Sequence, residues 1–479
     1  MKLEKETKKI SKDSFFNQLR DFGIGPIIGI GISMLTVPIT TRLVLPEEFG
    51  KSSLFSLIQT IFNLVAFCGM NQAFVRYYND YKNDLKKLLQ NAMVLPLSVC
   101  FLVCLFGFIF KKSISFFMFG SYEPLIVCLF LFSLPLLIIT EYGLLYVRMN
   151  LHGKLYSGLN IFNRLLGFAL LMFFLLIYER SFRAIVLGSI TGSYINFLVT
   201  FLASKIGFIP RRKFFDKYLF YSLLKYGLPL IPSSVLAWVL NSFDKVSLRI
   251  WSSFLELGLY AAAFKIVTIM NTFQTIFTTA WAPVAYKWHD ERRDVKYFEC
   301  VGLITLSCFS FVFIGVVLLR NFIFLFLGEA YRNTSEIFVF LFFTPFLYSV
   351  SEVTSMGIYF AKKTKYILII SFIAVLINIC GDYLLVNIYG ARGVAFVTFF
   401  SYAVWFWLRT LISRNMWFKF KILPYAFSIS LLVSMAFFIF FKIGFFAELI
   451  LAIISVGYNF YLLICSIKEL NGLKNGSTL

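Results

Sequence analysis

One stretch of the chain, residues 241–266, places charged side chains inside sequence that is otherwise apolar enough to cross a bilayer. Asp244, Lys245 and Lys265 lie in it. Charged side chains are costly in hydrocarbon, so they normally face a protein interior or a watery cavity. The lysines are therefore candidates for binding an anion, and Asp244 is a candidate for binding or releasing a cation. An internal ion pair, for example between Lys245 and Asp244, explains the same charges and stays open.

The composition predicts that the elements holding these charges are membrane helices. Of 479 residues, 59% are hydrophobic and 14% are charged, and the mean hydropathy is +0.81. Soluble domains are roughly 45–50% apolar and about 25% charged. Apolar runs recur to the end of the chain, and their length indicates about 14 transmembrane helices. We expect an all-α membrane protein with several spans.

The net charge is +21, and the basic residues responsible for it are spread unevenly along the chain. Roughly 30 basic residues fall in the N-terminal tail and in alternate connections, against about 11 elsewhere, which is the positive-inside pattern. We therefore expect both termini in the cytoplasm and no binding of nucleic acid. The basic N-terminus is not followed by a short apolar core with a cleavage site, so we expect no removable signal peptide.

A short internal sequence repeat predicts that the chain contains two related halves. Glu48-Phe-Gly50 is matched by Glu256-Leu-Gly258, about 210 residues later. Six helices in each half would leave both halves in one orientation, with a symmetry axis along the membrane normal. We predict four segments: an N-lobe over 1–206, a cytoplasmic linker over 207–221, a C-lobe over 222–413, and two further helices with a tail over 414–479.

Other polar residues within or near predicted spans extend the set of site candidates. Arg164 has Asn160 on nearly the same helix face, by the i, i+4 rule, and could join an anion or sugar site. Proton or sodium coupling needs a carboxylate that changes partners or protonation. Asp244 is the first candidate for this role, and Glu352 and Asp382 are the others. A static salt bridge stays open as well.

Four arginines lie near the ends of spans, Arg42, Arg76, Arg249 and Arg409. Side chains that reach the membrane interface explain them. The sequence shows no cluster of metal ligands and no catalytic set of residues, so we expect neither a metal site, a resident cofactor nor an enzyme.

Four segments resemble the Wzx-type polysaccharide flippases of the multidrug/oligosaccharidyl-lipid/polysaccharide (MOP) superfamily. They are Thr41–Gly50, Phe243–Leu248, Glu256–Lys265 and Asn378–Gly393. The resemblance covers about residues 15–470 and implies a MATE-like fold of two six-helix lobes with alternating access. It also places Arg42 and Arg76 near a lobe-one portal, which keeps both as secondary binding candidates. Asp382 departs from the family pattern, because that position often holds Asn.

The resemblance implies a flippase that turns an undecaprenyl-pyrophosphate-linked oligosaccharide, such as an O-antigen repeat unit of lipopolysaccharide, to the outer leaflet of a bacterial inner membrane. It implies membrane lipids and a polysaccharide polymerase as partners, and we expect a monomer. Two transporters remain alternatives: an ion-coupled multidrug-type exporter and a flippase for peptidoglycan lipid precursors. A membrane polysaccharide polymerase or ligase is the alternative from another class.

Overall fold

The computed structural model describes residues 28, 29, 31–204 and 215–476, and this part of the chain is helical and contains no β-strand. The predicted N-terminal tail, the basic segment 207–214 and Leu479 lie outside the described residues. The chain divides into two compact units, Met1–Val235 and Leu236–Leu479. The lobe boundaries and the symmetry axis expected from the sequence stay predictions.

Ten helices are described in the first unit or begin there. They are α1 (31–43), α2 (Pro46–Phe67), α3 (Met70–Tyr77), α4 (Leu85–Ile109), α5 (Lys111–Phe119), α6 (Pro124–Met149), α7 (Gly153–Phe173), α8 (Phe182–Ser204), α9 (Lys217–Gly227) and α10 (Ile231–Trp251). Helix α8 packs against α2, α6 and α7, and α9 packs against α3 and α4. Their apolar faces form a continuous core that includes Phe55, Phe74 and Tyr142.

The second unit begins within α10, at Leu236. Its helices are α11 (Phe254–Asp290), α12 (Lys296–Leu318), α13 (Arg320–Leu325), α14 (Ser335–Thr354), α15 (Met356–Phe360), α16 (Lys365–Met416), α17 (Leu423–Phe440) and α18 (Phe445–Gly476). Almost every side chain of α14 is buried, because α11, α12 and α16 pack around it. Helix α14 is therefore central to this unit, and its largely apolar sequence suits that position.

Local sequence explains where α2 and α11 start. Helix α2 has Pro46 in its first turn, followed by Glu47 and Glu48. Proline suits the first turn of a helix, and acidic residues there complement the helix dipole. Helix α11 starts with a Ser-x-x-Glu capping sequence, in which Ser253 Oγ accepts a hydrogen bond from the backbone N–H of Glu256.

Helix α16 is a hairpin of two helices. Its 52 residues contain Gly390, whose φ of 54° and ψ of −136° are not helical. A Cβ added to Gly381 would lie 2.6 Å from the Val397 side chain. Residues 16 positions apart in one continuous helix would be separated by about 24 Å. The chain therefore reverses at Gly390, and the two halves of α16 lie side by side.

The number of spans predicted from the sequence, about 14, is not confirmed. Among the described residues, 11 helices are long and apolar enough to cross a membrane, or 12 if the bent pair α2 and α3 is one span. Two features explain the difference from the prediction. Part of the first predicted span is not described, and the hairpin α16 enters that number as one helix.

Candidate functional site

A buried carboxylate, Asp244 on α10, is the centre of a polar cluster in the second unit. Only 1% of Asp244 is exposed. Its carboxylate accepts hydrogen bonds from the Tyr260 hydroxyl, from Asn378 Nδ2 at 3.1 Å and from Thr398 Oγ1 at 2.8 Å. These donors lie on α11 and on both halves of the α16 hairpin. One carboxylate thus connects three helical elements of the unit.

A second buried carboxylate, Asp382, belongs to the same cluster. Ser247 Oγ lies 2.7 Å from Asp382 Oδ2 and 2.8 Å from the backbone oxygen of Asp244. Asp382 is completely buried. Its Oδ1 and the Oδ1 of Asn378 have no hydrogen-bond partner in the part of the chain that the structure describes. The cluster therefore contains two buried acceptors that are not satisfied.

The helical repeat and the hairpin bring these groups together. Ser247 follows Asp244 by one turn on α10, and Asp382 follows Asn378 by one turn on α16, so each pair shares a helix face. The reversal at Gly390 then returns Thr398 to the same position. Since the surrounding helices are apolar, the polar atoms have mainly each other as partners.

The groups in this cluster would suit a cation or a proton. Two ionised carboxylates in apolar surroundings are unfavourable unless a proton or a cation offsets the charge. The groups present are carboxylate, amide and hydroxyl oxygens, which are the ligands of hard cations. The unsatisfied Oδ1 atoms of Asp382 and Asn378 suit this chemistry, because a bound cation would give each of them a partner.

One of the two lysines predicted from the sequence, Lys245, lies beside the ring of Phe264, the residue that precedes the other, Lys265. Lys245 is half-buried, and its Nζ lies 5.2 Å from the centroid of the Phe264 ring. Lys265 follows Phe264 on α11 and is exposed. The second unit therefore has two lysines on consecutive helices, with Asp244 directly before one of them.

The third predicted carboxylate, Glu352 on α14, has other partners. Its Oε1 lies 3.2 Å from Nη1 of Arg409, and Arg409 also donates to Ser351 Oγ and to the Tyr359 hydroxyl. Arg409 is 2% exposed, and its guanidinium lies 4.3 Å from the centroid of the Trp405 ring. The expectation that Arg409 reaches the membrane interface is wrong, because a buried carboxylate and an aromatic face compensate its charge. This arrangement favours a structural ion pair for Glu352.

The remaining candidates lie in the first unit and are not gathered into one site. Arg164 on α7 is exposed, and a Cβ added to Gly29 would lie 3.6 Å from its Nε. Asn160 donates from Nδ2 to the backbone oxygen of Tyr156.

The two arginines expected near a portal, Arg42 and Arg76, are both exposed. Arg76 forms a weak pair with Asp80 at 3.7 Å. All four side chains of the first unit stay predicted binding residues.

The sequence pointed to Asp244 and Asp382 but not to their partners. The position of Asn378 one turn before Asp382 was a usable signal, and Ser247 after Asp244 was another. Tyr260 and Thr398 carry no such signal, since a tyrosine or threonine in an apolar helix is common. Their role depends on the hairpin and on helix packing.

Comparison with solved structures identifies the fold. A structure titled "Lipid II flippase MurJ, inward closed conformation" matches with a TM-score of 0.71 and 16% identity, over 94% of this chain and 99% of the other. An inward-facing multidrug resistance MATE family transporter of the MOP superfamily matches with a TM-score of 0.56 and 15% identity, over 83% and 97%. The fold is MurJ- and MATE-like, as the sequence resemblance predicted.

Comparison with sequences identifies the family. No curated protein sequence matches the chain significantly. The family model described as "Polysaccharide biosynthesis protein" matches residues 23–289. This match covers more than half of the chain and confirms the predicted family resemblance: the chain belongs to the polysaccharide biosynthesis protein family.

Proposed function

We propose that the protein is a flippase for lipid-linked oligosaccharides in the synthesis of a surface polysaccharide. It moves an undecaprenyl-pyrophosphate-linked repeat unit, of the O-antigen kind, from the cytoplasmic to the outer leaflet of a bacterial inner membrane by alternating access. Both termini are cytoplasmic, the protein acts as a monomer, and a polymerase takes up the product. The family, the MurJ- and MATE-like fold and the charge distribution along the sequence support this assignment.

The observation that carries the proposal is the position of Lys245 beside the ring of Phe264, the residue that precedes Lys265. The pyrophosphate of a lipid-linked sugar is anionic and cannot cross hydrocarbon without a cationic partner. Lys245 and Lys265 supply two positive charges on consecutive helices, α10 and α11. Such charges are tolerated in a span when they line a cavity or have partners, and they usually mark a substrate pathway. We assign the pyrophosphate to these lysines.

Coupling to an ion gradient belongs to the polar cluster around Asp244. Asp244, Asn378, Asp382 and Thr398 would hold a sodium ion through oxygen atoms, or Asp382 would hold a proton that the unpaired Oδ1 can carry. A cation here would supply the charge that two buried carboxylates lack. Loading and release of that charge would bias the packing of α10, α11 and the α16 hairpin, which all contribute to the cluster.

Complementation of a strain that lacks the gene tests the assignment. Replacing Lys245 or Lys265 with Ala should reduce surface polysaccharide at least tenfold while the membrane level of the protein stays normal. Arg at either position should restore part of the export, because the charge remains although the geometry differs. Lys287→Ala is the matched control, since Lys287 lies on α11 with a side chain that is 71% exposed. Normal export by both Ala variants would overturn the pyrophosphate assignment.

A further inference from the structure

The first unit contains a cavity of about 420 Å³ whose walls are unusually polar for a membrane protein. It is formed by α2, α3, α6, α7, α8 and the start of α10. Eight of its fourteen lining residues are polar, and five of these are amides: Asn63, Asn71, Gln72, Asn163 and Asn196. Small-molecule sites are usually lined mostly by apolar groups with a few polar ones. Since polar side chains inside spans are costly, this enrichment indicates a ligand that uses them.

The charge of the lining excludes the anionic head of the proposed substrate. Among the described residues that line the cavity, Glu141 is the only ionisable one, and none is a lysine, arginine or histidine. A pyrophosphate is held by cations and would be repelled by a carboxylate. Amide side chains instead both donate and accept hydrogen bonds, and a carboxylate accepts several. This combination matches neutral hydroxyl groups, each of which also donates and accepts.

A bend of the backbone places two of the amides. Helices α2 and α3 meet at 53°, across Cys68 and Gly69 with φ of 44° and 75°. A Cβ on Gly69 would lie 2.4 Å from the backbone oxygen of Gly227, so only glycine allows this approach of α2 and α3 to α9. The bend brings Asn71 and Gln72, at the start of α3, to the cavity wall.

Two further amides offer buried hydrogen-bonding groups. Asn63 Oδ1 is buried and has no hydrogen-bond partner within the described ranges. Asn196 is 9% exposed, and its Oδ1 accepts a hydrogen bond from Thr200 Oγ1 at 3.4 Å, which orients the amide. An unsatisfied buried acceptor is destabilising unless a partner is supplied. A ligand hydroxyl at this cavity would supply it.

We propose that this cavity is a recognition subsite for uncharged sugar, separate from the lysines that hold the pyrophosphate. The inference rests on the proposed function and adds a division of roles within it: the second unit binds the carrier's phosphate, and the first unit selects the sugar. The volume lies near the lower end of the roughly 300–1,000 Å³ found for ligand sites. The subsite therefore binds only part of a repeat unit, one or two sugar rings.

Binding to the purified full-length protein tests the subsite with two probes. One is the oligosaccharide released by mild acid from the lipid-linked intermediates of the producing cell, and the other is inorganic pyrophosphate. Asn63→Leu and Asn196→Leu should each raise the Kd for the oligosaccharide at least tenfold and leave pyrophosphate binding within twofold. Lys245→Ala should raise the Kd for pyrophosphate at least tenfold and leave oligosaccharide binding within twofold. Asn387→Leu is the matched control, because Asn387 is an exposed asparagine on α16; it should change neither.

Three results would overturn the subsite. One is an oligosaccharide Kd within twofold of wild type in both asparagine variants. Another is wild-type protein that binds pyrophosphate but no oligosaccharide. The third is binding of tetraethylammonium in place of sugar, lost in Glu141→Gln, which would make the cavity a site for organic cations. If the buried variants do not elute as monodisperse protein, Gln72→Leu replaces them, since Gln72 lines the cavity from an exposed position.

Failure of the subsite and failure of the proposed function give different results. If the function is wrong, the lysine variants export polysaccharide normally, whatever the asparagine variants bind. If only the subsite is wrong, export still depends on the lysines, but substitution of Asn63 or Asn196 does not change the affinity for the oligosaccharide.

Discussion

The carboxylate of Glu256 accepts a hydrogen bond from the backbone N–H of Ala391, with 2.8 Å between the two atoms. In the first unit, Glu48 accepts one from the backbone N–H of Phe182 at 2.9 Å. Each glutamate lies in the first turn of a helix, α11 or α2, and each donor lies at the start of another. The repeat of about 210 residues in the sequence is thus matched by an equivalent contact inside each unit, which supports an internal duplication.

Removing the Glu256 carboxylate should destabilise the second unit. Glu256→Ala leaves the N–H of Ala391 without its acceptor, and a hydrogen bond to a charged group contributes about 1.5–3 kcal/mol. We expect a clearly lower midpoint of thermal unfolding in detergent. Glu329→Ala is the control, because Glu329 is 85% exposed and its pair with Arg332 contributes little. Equal midpoints for the two variants would show that the contact to Ala391 is not stabilising.

Gly390 should not tolerate a side chain. Its φ of 54° with ψ of −136° is accessible essentially only to glycine. A Cβ there would also lie 2.5 Å from Glu256 Oε2. Gly390→Ala should therefore cost about 1–3 kcal/mol for the backbone alone, measured as reduced thermal stability. Gly315→Ala, in α12 with open space around the new methyl group, should be neutral or slightly stabilising; similar losses in both would contradict the hairpin geometry.

The polar cluster should respond to the coupling ion. If sodium binds, sodium should raise the unfolding temperature of the wild type but not of Asp244→Asn or Asp382→Asn, and a sodium gradient should drive flipping in proteoliposomes. If a proton couples instead, the same two variants should remove the dependence of flipping on a pH gradient. Asp290→Asn, at an exposed position at the end of α11, is the control. If flipping by the wild type depends on neither gradient, the polar cluster has no role in ion coupling.

The Glu352–Arg409 pair should behave as a structural unit. Glu352→Gln leaves a guanidinium that is 2% exposed without its carboxylate, and breaking a buried pair costs about 3–5 kcal/mol. The double variant Glu352→Gln, Arg409→Met should recover much of this loss, because no buried charge remains. We expect the double variant to export polysaccharide. A stable double variant without export would instead return Glu352 to the coupling role expected from the sequence.

Asp216 should make stability depend on pH at the start of α9. Its ion pair with Lys87, at 2.7 Å, and its hydrogen bonds from the backbone N–H groups of Leu219 and Tyr218 hold its pKa below the usual value. A lowered folded-state pKa means that the stabilisation is present above the unfolded pKa of about 3.9 and is lost as pH falls through the folded value. Asp216→Asn should therefore lower the unfolding temperature at pH 7, and the difference should shrink towards pH 3. A difference that grows in acid would reverse the sign and contradict this account.

The sequence was sufficient for the class of fold and for part of the site. Apolar length and charge asymmetry are properties of single segments, so they predicted membrane helices without any knowledge of packing. Asp244 and Asp382 stood out for the same reason, since a carboxylate in a span is conspicuous by itself.

What joins those residues depends on distant parts of the chain. Thr398 approaches Asp244 across 154 positions, and only the reversal at Gly390 makes that contact. Arg409 shows the opposite error: its position near the end of an apolar run suggested the interface, but Glu352 and Trp405 compensate its charge inside the unit. Side-chain composition of one helix does not reveal which neighbour covers it.

The hairpin at Gly390 also restricts what can be inserted into this protein. Its two helices meet at a single residue, Ala391 uses its N–H to bind Glu256, and Gly381 packs directly against Val397. A site tolerates insertion when its backbone is exposed and makes few hydrogen bonds. Here both helices that flank the turn make close contacts. An epitope tag or protease site placed at this turn would separate the two helices and pull Thr398 away from Asp244. Topology reporters therefore belong in the other connections, and homologous chains should vary in length there rather than at this turn.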